Sequence, residues 1–263
     1  MIVCADDFGL SADINDAILD LARAGRISAV SFLTTSRELS QSMRESLREM
    51  AGRLDLGLHF NLTEGSAISK PAAIPSLATA AGHFRGFKVL LLRSRFGQAV
   101  EAQVERELAA QYARFVEMAG RPPDFVDGHH HVQQYPGIRE AVVAFVNRLP
   151  VGSRGYVRNG YQPLRKILRQ GVSPWRCLWI SLYGRPLRRC LIRAGLETNV
   201  GFAGVYDNRH ERFPDLLVRF VANMEDDRGI LMTHPGRLES WRRMEYETLR
   251  DAPCLTGRVN RYH

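Results

Sequence analysis

The sequence predicts an α/β fold built on a parallel sheet, on three observations. Short apolar runs alternate with longer stretches of helical period along the whole chain. Polar clusters stand just where the apolar runs end: Asp6-Asp7, His59, His129-His130-His131 and His234. The 263 residues are 45% hydrophobic and 24% charged, which excludes fibrous and disordered classes. Neither an internal repeat nor a linker is visible, so one domain over 1–263 is expected. A chain this long buries roughly three quarters of its surface and needs no metal or disulfide merely to fold.

Taken in order, Ile2–Ala5 reads as a buried strand, followed by a helix opened by Ser11 with Ile14, Ala17, Ile18, Leu21 and Ala22 on one face. A strand is expected at Ile27–Thr34, a helix at Ser36–Met50, and a third strand at Leu54–Leu58, running into His59. Residues 64–95 are punctuated by Gly, Pro and Ser and read as a long loop. A long helix is expected over Gln98–Ala119, with Val100, Val104, Leu108, Ala109, Tyr112 and Phe115 on one side. Asp124–Asp127 reads as a strand, Ile138–Asn147 as a helix and Gly155–Val157 as a strand. Thr198–Ala203 follows as a strand, Phe213–Met224 as a helix and Gly229–Met232 as a strand, with a last helix from about Leu238 to Arg250. Periodicity alone leaves a closed barrel and an open doubly wound sheet both possible.

The formal net charge of +8 is local. Ten Lys or Arg and no Asp or Glu lie between Arg154 and Gly195, leaving 26 basic and 28 acidic residues elsewhere. The stretch from Tyr161 to Leu196 sets Leu164, Ile167 and Leu168 at helical spacing, and Leu178, Leu182, Leu187 and Leu191 more loosely. Trp175, Trp179 and Tyr183 add aromatic rings among the arginines. Such a basic helical insertion, about 161–196, is either a cover packed on the domain or a segment that lies on an anionic membrane. No nucleic-acid-binding motif accompanies the charge, so no nucleic-acid partner is expected.

No secretory signal or membrane-spanning run is visible, and Cys4, Cys177, Cys190 and Cys254 are scattered, without a CxxC pair. A cytoplasmic protein, membrane-peripheral at most, is the expectation.

Five of the eight histidines fall at the strand ends, where α/β sheets and barrels build their sites. Adjacent carboxylates at the end of an apolar strand repel one another unless a cation compensates. Strand alternation should give Asp6 and Asp7 different directions and different tasks. Asp with two His forms a nitrogen–oxygen donor set suited to zinc and tolerable for manganese, cobalt or magnesium. Three protein ligands leave room for water and substrate, the layout of a catalytic site. The motifs of serine hydrolases, P-loops and dinucleotide folds are absent, which leaves metal-assisted hydrolysis.

The segments ADDFGLS (Ala5–Ser11), LGLHFNLTEG (Leu56–Gly65), FVDGHHHVQQYP (Phe125–Pro136) and MTHPG (Met232–Gly236) resemble the YdjC-like carbohydrate deacetylases. That family includes chitooligosaccharide deacetylases and a branch associated with hopanoid lipid biosynthesis. The resemblance implies a single-domain (β/α) barrel of the glycoside hydrolase/deacetylase type. It implies hydrolysis of an N-acetyl group from an acetylated amino sugar, dependent on one divalent metal ion, zinc or magnesium, with manganese or cobalt also accommodated. By position, Asp7, His59 and His129 would hold the metal and Asp6 would be the general base. His234 would be the acid that protonates the departing amine. Arg158, in YVRNGYQPL, would orient Asp6. Asp127 and His131 share strand parity with His129 and would support the ligands or touch substrate.

The arginine-rich block resembles the lipid-associated branch more than the free-sugar enzymes, which directs the expectation toward a lipid-linked or membrane-proximal glycan. A homodimer stays open. Two rival readings also stay open: a metal-dependent hydrolase of another amide or a phosphoester, and a non-catalytic membrane- or glycan-binding protein.

Overall fold

The computed structural model describes the chain except residues 37–39, 94–97, 208–211, 225–227 and 263, and the side chains of 98 and 99. Seven strands form one parallel sheet: β1 (Ile2–Phe8), β2 (Ala29–Phe32), β3 (Asp55–Phe60), β4 (Phe125–Gly128), β5 (Tyr156–Val157), β6 (Gly201–Ala203) and β7 (Gly229–Thr233). Their spatial order is β5-β4-β3-β2-β1-β7-β6, with every neighbouring pair parallel. That order is the chain order cut open at one point, as in a barrel. A doubly wound sheet would instead reverse direction at a switch point.

The two edges also meet. Val157 pairs with Thr198 just ahead of β6, and its N–H donates to the Glu197 carbonyl at 3.0 Å. The buried amides of Asn159 and Asn199 tie the same junction. The Asn159 N–H donates to Asn199 Oδ1 at 2.8 Å, and Asn199 Nδ2 donates to the Asn159 carbonyl at 2.9 Å.

Alternate strand residues face the inside of the curl. Ile2, Cys4, Ala29, Phe125, Tyr156, Phe202, Ile230 and Met232 form one apolar cluster there. Tyr262 stacks on Tyr156, ring centres 4.0 Å apart, at the amino-terminal end. Val3, Ala5, Val30, Leu56 and Leu58 belong to the other cluster, which packs the sheet against the helices. With both faces covered, every residue of these strands is buried, as parallel sheets require.

The helices are α1 (Ala12–Arg23), α2 (Gln41–Met50), α3 (Phe87–Arg93), α4 (Gln98–Ala119), α5 (Ile138–Arg148), α6 (Leu164–Gln170), α7 (Pro174–Arg193), α8 (Phe213–Ala222) and α9 (Ser240–Asp251). On α1 the stripe Ile14, Ala17, Ile18, Leu21 and Ala22 is buried, as its period predicts. The second helix starts later than expected, at Gln41, where the Ser40 hydroxyl accepts the Met43 N–H at 3.2 Å. The expected start at Ser36 runs through 37–39, outside the described residues.

The loop expected over 64–95 holds more structure than its composition predicts. It contains α3 and the antiparallel bridges Ser66–His83 and Ala78–Phe84, and it buries Ile74, Leu77 and Phe84. Buried Glu107 of α4 accepts the N–H groups of Ile68 and Ser69 at 3.0 and 2.9 Å. A seven-residue helix is too short for its period to stand out. Residues 94 and 95 of that stretch lie outside the described ones.

The basic block is two helices, α6 and α7. Cys177, Ser181, Leu187 and Leu191 of α7 are buried, whereas Leu182 is 63% exposed. The loose leucine repeat therefore does not define a single face.

Candidate active site

Two residues beyond the apolar layer, the same inward alternation reaches Asp6, Ser31, His59, Asp127, Arg158 and His234. The curl is thus apolar below and charged at the carboxyl ends of its strands, where barrels hold their sites. Above this layer opens a cavity of about 690 Å³ lined by Asp6, Asp7, His59, His129, His131 and His234, with Phe87, Tyr135, Trp175, Trp179 and Trp241 also on its wall.

Asp6 and Arg158 form a bidentate pair, with both N–O distances 2.7 Å and both residues 1% exposed. Arg158 Nη1 also lies 2.9 Å from Asp127 Oδ2. Burial alone would raise the Asp6 carboxyl, but Arg158 outweighs it and holds the group well below the usual carboxylate range.

Asp7 stands in a bulge of β1. The register against β2 shifts between Ala5 and Phe8, and Asp7 adopts a left-handed φ of 71°. Regular alternation would turn one of two adjacent aspartates away from the cavity. The bulge instead lets both line it, with separate partners. Asp7 Oδ1 lies 3.4 Å from His59 Nε2 and 3.1 Å from His129 Nδ1, and those two nitrogens are 3.3 Å apart. Its other oxygen accepts from Arg242 Nη2 at 2.8 Å. Burial would raise the Asp7 carboxyl, but the two imidazoles outweigh it and hold it well below its ordinary value.

His59 is fixed from behind. Its Nδ1 sits 2.7 Å from Asp127 Oδ1, which also accepts from the Ser31 hydroxyl at 2.5 Å. With Nδ1–H donated to Asp127, Nε2 is left facing Asp7. Against burial, which would lower it, Asp127 and Asp7 hold the His59 imidazole up at about 10. The cluster therefore attracts positive charge at this point.

The chain leaves β4 at Gly128 and enters a 3-10 turn, His129–Gln134, in which His130 and His131 have φ of 54° and 57°. Strand parity does not carry into this turn, so the expected shared side of Asp127, His129 and His131 is replaced by three separate settings. Asp127 lies beneath His59. His129 reaches Asp7. His131 lines the cavity and meets the Phe202 ring edge-on at 5.8 Å, and burial pushes it down to about 3.

His234 follows β7. Its backbone N–H donates to Glu245 Oε2 at 2.5 Å, and Tyr206 donates its hydroxyl to Glu245 Oε1 at 2.6 Å. Burial, with help from Arg242 and Arg158, pushes the His234 imidazole down to about 4. Burial likewise pushes Glu245 up to about 7.

Three participants were not singled out from sequence. Arg242 and Glu245 come from α9, in a run, WRRMEYE, that looks like any solvated helix face. Glu64 Oε2 lies 3.3 Å from His129 Nε2. Glu64 stands inside the LTEG segment, but its spacing gave no reason to separate it from a loop carboxylate.

Asp7, His59 and His129 can hold a metal ion. A tetrahedral ion with bonds of about 2.0–2.2 Å separates its ligand atoms by roughly 3.3–3.6 Å. The three separations here, 3.1, 3.3 and 3.4 Å, are close to that edge length before any ion draws the atoms into place. The donor set is chemically apt and is backed by Asp127 and Arg242.

Residues 1–256 match the family described as YdjC-like protein. The chain belongs to the YdjC-like family. Curated relatives include the chitooligosaccharide deacetylases of Serratia marcescens and of Yersinia pestis (strain Pestoides F). Each is 37% identical over 145 residues, or 55% of this chain and 54% of the relative. The YdjC-like chain thus spans about half the length of the curated relatives it matches. A solved structure from Enterococcus faecalis, described provisionally as a cellobiose-phosphate cleavage protein, superposes with a TM-score of 0.71. It is 22% identical and covers 99% of this chain and 96% of its own. That likeness bears out the barrel-like α/β fold.

Proposed function

We propose that this YdjC-like chain is a metal-dependent carbohydrate N-deacetylase that removes the acetyl group from an acetylated amino sugar. The observation that carries the reading is the convergence of three metal-donor atoms, a fixed carboxylate and an imidazole on one sugar-sized cavity. The named relatives support the substrate class. Aromatic rings on the wall suit the apolar faces of a sugar.

Asp7, His59 and His129 would hold the ion, with zinc favoured by the two nitrogen donors and magnesium, manganese or cobalt accommodated. A divalent cation bound there supplies Lewis-acid polarisation of the amide carbonyl and acidifies water. Asp6 is the base: Arg158 keeps it ionised and aimed, and it accepts the proton of the attacking water at a carboxylate oxygen. His234 donates a proton to the departing amine nitrogen, without which an amide is a poor leaving group. At rest His234 is neutral. It takes up a proton from solvent as negative charge builds on the substrate, passes it to the amine nitrogen, and the proton held by Asp6 returns to solvent at the end of the cycle. Glu245 holds the backbone N–H of His234 and so sets where the ring stands.

The four cysteines are unpaired and two of them are buried, which fits the reducing cytoplasm in which we place the protein.

The test is acetate release from N-acetylglucosamine oligomers by protein reloaded with zinc, magnesium, manganese or cobalt. Metal-dependent release is expected. Full metal occupancy with no acetate from any oligomer would contradict the reading, as would phosphate release from a phosphoester panel instead.

A further inference from the structure

We propose that α6 and α7 form a docking face for an anionic lipid surface, set at the mouth of the cavity. On α7, Trp175, Trp179 and Leu182 follow one another at helical spacing of four and three residues, on the side opposite buried Leu187 and Leu191. They are 82%, 44% and 63% exposed. The stripe continues down the helix as arginine, with Arg189 and Arg193 exposed at the next turns. On α6, Leu164 and Leu168, one turn apart, are 56% and 65% exposed. Isolated exposed apolar residues need no explanation, but a stripe of them on one helix, with two more a turn apart on the helix before it, does.

Charge decides what covers this row. Eight of the ten Lys or Arg between Arg154 and Gly195 lie on α6 and α7, with no acid on either helix, while the chain outside that segment is slightly acidic. A second copy would bring the same eight cations of α6 and α7 against the eight already there. A bilayer with anionic headgroups matches both features, because Trp and Leu sink to the headgroup boundary while Arg reaches phosphate. No helix among the described residues is long and apolar enough to cross a membrane, so contact through this face would be peripheral.

The face is continuous with the site. Trp175 and Trp179 are at once its most exposed rings and part of the cavity wall above Asp6 and His59. Docking would therefore turn the cavity mouth toward the interface, where the sugar headgroup of an amphiphile is presented. This last consequence rests on the deacetylase reading; the docking itself does not.

Flotation of the full chain with vesicles tests it. Binding is expected to mixed phosphatidylglycerol–phosphatidylcholine vesicles, with little to phosphatidylcholine alone and loss at about 1 M salt. The emission of the two tryptophans should shift to the blue on binding. Arg185→Glu with Arg189→Glu should lower partitioning more than about tenfold, since each cation near the surface is worth about fivefold. Leu168→Gln with Leu182→Gln should also lower it. These four positions are exposed and lie outside the cavity wall, so both double variants should release acetate from a soluble oligomer at the parent rate. Flotation without acetate release would sink the enzyme reading and leave docking intact. No flotation at low salt would overturn docking, as would unchanged flotation of both variants. Retention on an RNA oligonucleotide instead of vesicles, or a dimer that Leu182→Gln dissolves, would equally overturn it.

Discussion

Asp6 and Asp7 are neighbours in sequence with different surroundings, and the difference is what separates their proposed tasks. Asp6 is gripped by Arg158 and Asp7 faces two imidazoles. Asp6→Asn should leave metal content near one ion per chain and lower turnover by about 10²–10⁴-fold. The fold should tolerate it, because Arg158 keeps its contact with Asp127. Metal analysis beside an acetate assay reads both, and unchanged turnover would remove Asp6 as base. Glu245 gives a prediction of another kind. Its folded-state value near 7 lies above its ordinary 4.5, so its contribution to stability is full below about 4.5 and is lost as pH rises through 7. The loss is on the order of 3 kcal/mol. Glu245→Gln should abolish that part of the pH dependence. Urea midpoints of both proteins between pH 4.5 and 8 measure the difference, and parallel curves would refute it. At this scale Asp6, Asp7, His59, His129 and His234 were legible because each interrupts or ends an apolar run. Arg242 and Glu245 were not, because charged residues on an amphipathic helix carry no mark of the one turn that faces inward.

The strands position the site by alternation, and each departure from alternation serves it. Ile2, Cys4 and Asp6 climb one face of β1, and the bulge then swings Asp7 onto the same cavity. Periodicity shows where a strand runs but carries no sign of a bulge or of a left-handed turn at His130 and His131. The expected parity of Asp127, His129 and His131 failed for that reason. On β3, Gly57 faces the inside two residues below His59, and a Cβ there would come within 2.2 Å of the Phe125 ring. Gly57→Ala should therefore destabilise the protein by about 1–3 kcal/mol or more. It should also weaken metal binding where relief of the clash displaces β3, which carries His59. A denaturant midpoint and a zinc titration would show both effects, and an unchanged midpoint would mean that the inner layer is looser than it stands here. The short α3 and the late start of α2 escaped the sequence because seven to ten residues hold too few turns for a clear period.

For the molecule as a whole, the run of βα units was plain in the sequence, while closure was not. β5 has two residues and β6 three, and the junction between them is held by the side chains of Asn159 and Asn199 as much as by ladder bonds. No apolar pattern announces such a seam, so periodicity does not separate a barrel from an open sheet, whereas the strand order does. The closed arrangement brings residues from β1, β3, β7 and the turn after β4 to a single layer. The central claim is that Asp7, His59 and His129 hold one divalent cation on which hydrolysis depends. The most direct measurement is a zinc titration of metal-stripped protein with bound metal and acetate release read together, for the parent and for His129→Ala. The parent should take up one ion per chain with activity rising in proportion, while His129→Ala should take up little and stay inactive. Acetate release by the stripped protein, or a full equivalent of zinc in His129→Ala, would contradict it.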